Sequence, residues 1–201
     1  MRMLGSSYVN SKRTEAIRDL KTRQVLFSCE GKAERVVIET LSEANALVVP
    51  NQNIVRDMDG RPCTLLRKAK DIQREFLGVD YPDGLLIARI VDVNPGVFRL
   101  DRPYRLLEIK VFDFITRPEI EALVLAREGE LDKFRNRRGH DRQLNASDWC
   151  IQKLRIDDVK GEEFLKDYWS DADDLVRCIR EAYSKLGSHK KEQLGLADLL
   201  K

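Results

Sequence analysis

The chain has 201 residues, 35% of them charged and 42% apolar, and Lys plus Arg exceed Asp plus Glu by only two (36 against 34). That length supports one domain of ordinary size with a proper core, and the composition excludes a disordered chain. The near-neutral balance also excludes a uniformly basic nucleic-acid coat protein, so any polyanion site must be a local patch.

The four cysteines (Cys29, Cys63, Cys150 and Cys178) form no CxxC pair and have no histidine spaced to complete a zinc site. Buried free thiols in a reducing compartment are the expectation. The start MRMLGSSYVNSKRTEAI lacks the apolar core of a signal peptide, and no apolar run approaches about 20 residues, the length a membrane span needs. No membrane association and a cytoplasmic location are therefore expected.

Residues 1–23 are polar and basic (Lys12, Arg13, Arg18, Lys21, Arg23) and read as a loose arm with a turn of helix. Val25 to Cys29 is a short continuous apolar run, the signature of a strand buried on both faces of a parallel sheet. It stops at Glu30-Gly31. Ala33, Val36, Val37, Thr40, Leu41 and Ala44 then recur at helical spacing, which predicts a helix of about four turns. Strand, tight glycine turn and helix make the first half of a βαβ unit.

The stretch ALVVP (46–50) reads as a second strand ended by proline, and 51–63 as turns; a helix is expected from Thr64 to Phe76. GLLIARIVDVN (84–94) reads as a central strand ending in a polar turn at Asp92. RLLEIKVFDF (105–114) alternates as a half-exposed strand does. The next helix opens with Thr116 as N-cap, Pro118 in its first turn and Glu119 in capping-box position. Strands alternating with helices over 24–130 predict a three-layer α/β fold with a mainly parallel sheet.

At 129–143 the composition changes, with Lys133, Arg135, Arg137, Arg138 and Arg142 gathered around a glycine. This segment is expected to be a basic surface loop leading into a helical C-terminal extension, 131–201. Residues 160–186 read as helical with a break near Ser170, and the tail LADLL is suited to packing on its own domain or on a second copy.

Ligands of open α/β sheets sit at the carboxyl ends of the parallel strands. Glu30 and Asp92 both fall at such ends, and carboxylates without histidine or thiolate form a hard oxygen site suited to Mg²⁺ or Mn²⁺. Two bland readings stand beside this one: Asp92 as a turn residue, since Asp-x-Asn-Pro-Gly is ordinary turn chemistry, and the basic segment as a solvated face. His140 and His189 lack partners for a histidine-based hydrolase, and no GxxxxGK[ST] phosphate loop is present.

VLFSCEGKAE resembles the first motif of the TOPRIM (topoisomerase–primase) domain, and ARIVDVN is similar to that family's Asp-x-Asp motif, with Asp92 as its first aspartate. Asn94 replaces the second, keeping an oxygen ligand and removing a negative charge. Pro118-Glu119-Ile120-Glu121 before ALVLA looks like the third element of RloB-like proteins and OLD-type nuclease domains. The resemblance implies a metal-dependent nuclease acting on DNA or structured RNA, in a family with antiphage-defence members. It implies Glu30 as metal ligand or general base, Asp92 as principal metal ligand, and Glu34, Asn94 and Glu121 completing or orienting the shell. Lys32 at a helix N-terminus, the basic segment, Lys153 and Arg155 would grip the nucleic-acid backbone. The alternative is a degenerate TOPRIM-like module that binds nucleotide or nucleic acid, or docks on a partner such as an ATPase, without cleaving.

Overall fold

The computed structural model describes residues 5–92, 95–107, 109–186 and 193–201, and for 5–11 the backbone only. Five strands form one parallel sheet: β1 (Gln24–Cys29), β2 (Cys63–Thr64), β3 (Leu85–Val91), β4 (Lys110–Ile115) and β5 (Leu194–Gly195), in the order β2-β1-β3-β4-β5. The expected three-layer α/β architecture is present. β3 lies at its centre with all seven residues buried, as a continuous apolar run requires. The register sets Cys29 beside Ile90 and Ile90 beside Phe114, so β1, β3 and β4 end level with one another.

Alternation along the strands divides the core. Val25, Phe27, Leu86, Ala88, Ile90, Phe112 and Phe114 face a large helical layer. This layer holds α2 (Lys32–Glu43), α5 (Ile120–Arg127), α8 (Glu162–Tyr168) and α9 (Ala172–Leu186), which pack α5 on α9 and α2 on α8. Leu26, Leu85 and Ile87 face the other way, onto α3 (Ala69–Phe76) and Leu100 of the β3–β4 connection. A reciprocal pair between Gln73 and Asp101 (2.8 and 2.6 Å) clips that connection to α3.

Several elements differ from expectation. Instead of a loose arm, Gly5–Thr22 forms an 18-residue helix, α1, with Ala16 and Leu20 fully buried. Lys110 clamps it to β4 through Glu15 (2.6 Å) and Asp19 (2.7 Å). ALVVP is not a sheet strand: Leu47 makes a lone antiparallel bridge to Leu200, so the carboxy-terminal tail, not the sheet, takes up its backbone. The sheet edge is supplied instead by Cys63–Thr64, which shortens the expected Thr64–Phe76 helix to α3. The strand expected over 105–114 is confined to β4, preceded by a single helical turn, α4 (Arg102–Arg105).

The basic segment 129–143 is mostly helix, α6 (Leu131–His140), because Leu131 and Phe134 give it a buried edge. A further turn, α7 (Ala146–Trp149), is capped by the Asn145 side chain. The helical break near Ser170 is present between α8 and α9. The tail packs on its own domain: Tyr183 donates to the Ile115 carbonyl and accepts from Leu196 N–H (2.8 Å each), and Leu196 and Leu199 are fully buried. Among the described residues no helix is long and apolar enough to cross a membrane. All four cysteines are free and buried.

Candidate functional site

Glu30 follows the last residue of β1, and its N–H continues the ladder by bonding the Ile90 carbonyl (2.9 Å). Its carboxylate Oε2 accepts from the backbone N–H of Asp92 at 2.7 Å. The Glu30 carboxylate therefore meets the Asp92 main chain at the carboxyl ends of adjacent parallel strands. The main chain fixes their approach, because β1 pairs with β3 along its whole length. Asn94 lies outside the described residues.

Gly31 caps α2 and lets the Glu34 side chain fold back toward the strand ends: a Cβ at Gly31 would meet Glu34 Oε2 at 2.9 Å. Burial raises the Glu34 carboxyl above its ordinary range, and the charges of Glu30 and Glu121 push it the same way; its own backbone N–H and Lys160 oppose the rise. Glu119 is likewise raised, first by burial and then by Glu121, with Asp92 adding to it and Arg138 and Lys160 opposing. Five carboxylates, at 30, 34, 92, 119 and 121, thus share one electrostatic neighbourhood.

The third predicted element departs from its expected form. Thr116 does not cap α5; its hydroxyl bonds the Val91 carbonyl (3.2 Å), and Glu119 occupies the N-cap position without a side-chain cap bond. Glu121 is 2% exposed, so it is no solvated helix residue, and Lys160 Nζ holds its Oε1 at 2.7 Å. That bond raises the Lys160 ammonium above its usual range against the opposing effect of burial, and Glu119 and Glu34 raise it further. Lys160 was not among the residues the sequence singled out. It sits in an irregular connection before α8, and nothing in VKGEEF marks it.

The predicted cations divide. Arg138 lies over the Phe134 ring at 5.8 Å, and its charge opposes the rise of the Glu119 carboxyl. Arg137 and Arg142 are exposed, whereas Lys133 pairs with Glu130 and Arg135 with Asp132 (3.2 Å). Lys32 opens α2 as expected but lies 3.8 Å from Glu162. Lys153 and Arg155 are exposed on and just after a π-helical turn, Cys150–Leu154.

The donor set is all oxygen and mutually repulsive, which suits a hard divalent cation. Among the described residues, however, no three ligating side chains converge closely enough to hold one. Glu30 spends one oxygen on the Asp92 N–H, and Glu121 is engaged by Lys160. Compared with known proteins, the chain matches no family model, no curated sequence and no solved structure.

Proposed function

We propose that this chain is a TOPRIM-like, Mg²⁺- or Mn²⁺-dependent nuclease cleaving phosphodiester bonds in DNA or structured RNA. The observation that carries the reading is the contact between Glu30 Oε2 and the Asp92 N–H, which joins two carboxylate residues at the ends of neighbouring parallel strands. Glu30 and Asp92 are the residues that would hold the cation, with water and phosphate completing its shell because no third ligating side chain among the described residues converges on them; Glu34 would add its charge from nearby. When bound, the cation supplies charge stabilisation for a phosphodiester oxygen. Burial raises Glu34 first and the charges of Glu30 and Glu121 add to it; that added repulsion is what a dication would relieve.

In this reading Glu30 is oriented by main chain through Oε2, and its Oε1, which Arg67 Nη1 approaches only to 3.9 Å, is the oxygen for ligation. Glu121 acts at one remove, by holding the Lys160 ammonium close to Glu34 and Glu119. The exposed arginines of α6 contact the nucleic-acid backbone without reading sequence. A role in antiphage defence rests on the motif resemblance alone.

The test is incubation of the purified chain with plasmid, single-stranded DNA and total tRNA in Mg²⁺, Mn²⁺ or EDTA. Metal-dependent cleavage that Glu30→Gln and Asp92→Asn abolish is the expected result. A second reading, a non-cleaving module that binds nucleic acid, nucleotide or a partner such as an ATPase or a second copy, is favoured by Lys160, whose ammonium already neutralises part of the acidic cluster. Binding that survives both substitutions, with no cleavage under any metal, would establish it instead.

A further inference from the structure

The strand order places a second group of cations at the opposite end of the acidic row from α6. Along the carboxyl rim the sequence is β2, β1 with Glu30, β3 with Asp92, then β4 leading to Glu119 and Glu121. Arg138 belongs to α6, which packs on α5 at the β4 side of the row. On the β1 and β2 side, immediately after β2 in the chain, come Arg67, Lys68 and Lys70, all exposed. Arg67 Nη1 lies 3.9 Å from Glu30 Oε1 and its side chain is 64% exposed. At that distance and exposure the ion pair is weak, so the guanidinium fork is largely available to another anion.

The backbone beneath this group is pinned. Ser28 Oγ donates to the Leu66 carbonyl at 2.7 Å, and Leu66 N–H bonds Thr64 Oγ1 at 3.2 Å. Arg67 therefore leaves the sheet edge at a defined point beside Glu30. Lys68 and Lys70 have no acidic partner among the described residues, whereas Lys133 and Arg135 on α6 do.

We propose that Arg67, Lys68 and Lys70 form a second phosphate-binding jaw, so that a nucleic-acid backbone is held on both sides of the carboxylates. The inference rests on the nuclease reading above, since it takes the acidic row as the place where the backbone crosses.

The experiment is salt-dependent binding of the full chain in EDTA, which prevents metal-dependent cleavage, to labelled DNA and RNA oligonucleotides, single-stranded and duplex. Arg67→Ala with Lys68→Ala is expected to weaken binding by roughly tenfold or more and to lower the log Kd against log salt slope by about two. Arg137→Ala with Arg138→Ala should do the same independently, and the four-fold variant should lose the product of the two effects. If the α6 pair weakens binding while the Arg67 and Lys68 pair leaves both affinity and slope unchanged, the second jaw is wrong and the nuclease reading stands. If the unaltered chain binds no oligonucleotide, both fail. Unchanged thermal melting of the jaw variant separates lost contacts from lost fold.

Discussion

The carboxyl rim of the sheet holds acids at two places, over β1 and β3 and again at the start of α5, and the two are built differently. Glu30 is 40% exposed and tied to the main chain by a bond that any later ligand can share. Glu121 is almost wholly buried and matched by a single ammonium. The same chemical group is therefore open to exchange at one place and structurally committed at the other, and burial with a counter-charge decides which.

The largest effect separating the two regions should be on cleavage. Glu30→Gln and Asp92→Asn are each expected to lower the cleavage rate by at least about 100-fold, because each removes a cation-binding charge. Both should change thermal stability little, since these residues lie at exposed strand ends. Single-turnover cleavage beside a melting curve measures both; a large loss of stability in Glu30→Gln would erase the contrast.

Lys160→Met probes the committed region. It leaves Glu121 buried without its counter-charge, and the expected loss is about 2–3 kcal/mol, at the lower end because the lysine is partly exposed. For a chain of this size that is a fall in melting temperature of about 5–10 °C. Adding Glu121→Gln should restore much of it, whereas the same substitution alone should cost less than Lys160→Met. Calorimetry of the three variants reads the cycle.

The intermediate region tests the sign of the electrostatics. Glu34 in the folded chain takes up its proton at higher pH than an ordinary glutamate near 4.5. Its charge therefore opposes folding at neutral pH, and the cost fades as pH falls through the raised value toward 4.5. Glu34→Gln is expected to raise the melting temperature by a few degrees at pH 7 in EDTA, an advantage that shrinks as the solution is acidified. Mg²⁺ should stabilise the unaltered chain more than this variant. A gain that grows toward low pH would contradict the assignment.

Legibility in the sequence followed the same division. β1 and β3 were readable because buried parallel strands are continuous apolar runs, and with them came Glu30 and Asp92 at their ends. β2 was not, since two residues carry no period, and ALVVP imitated a strand while its backbone bonds the distant tail, with Val48 N–H to the Leu199 carbonyl at 2.7 Å. α1 was hidden because its anchors are few and meet partners remote in the chain: the buried Ala16 and Leu20 in the main core, and Glu15 and Asp19 on Lys110. Lys160 and Arg67 were hidden for a related reason: each matters through a partner remote in the chain, Glu121 and Glu30, and no local pattern encodes such a pair.

The smallest expected effect concerns Gly31, between the exposed acid and the buried one. Its φ of −141° and ψ of 180° are extended backbone that any residue adopts, so glycine is not required there by conformation. What an added Cβ meets is only the far end of Glu34, at 2.9 Å. A flexible carboxylate can give way, so Gly31→Ala should change stability by less than about 1 kcal/mol. The displaced Glu34 oxygen would, however, no longer sit where it adds to the Glu30 charge. Mg²⁺ titrated into the variant should raise its melting temperature less than in the unaltered chain, while Glu30→Gln and Gly31→Ala together should be no worse than Glu30→Gln alone. Full Mg²⁺ stabilisation in Gly31→Ala would mean that Glu34 belongs with Glu121, as a structural acid, and that the open region consists of Glu30 and Asp92 only.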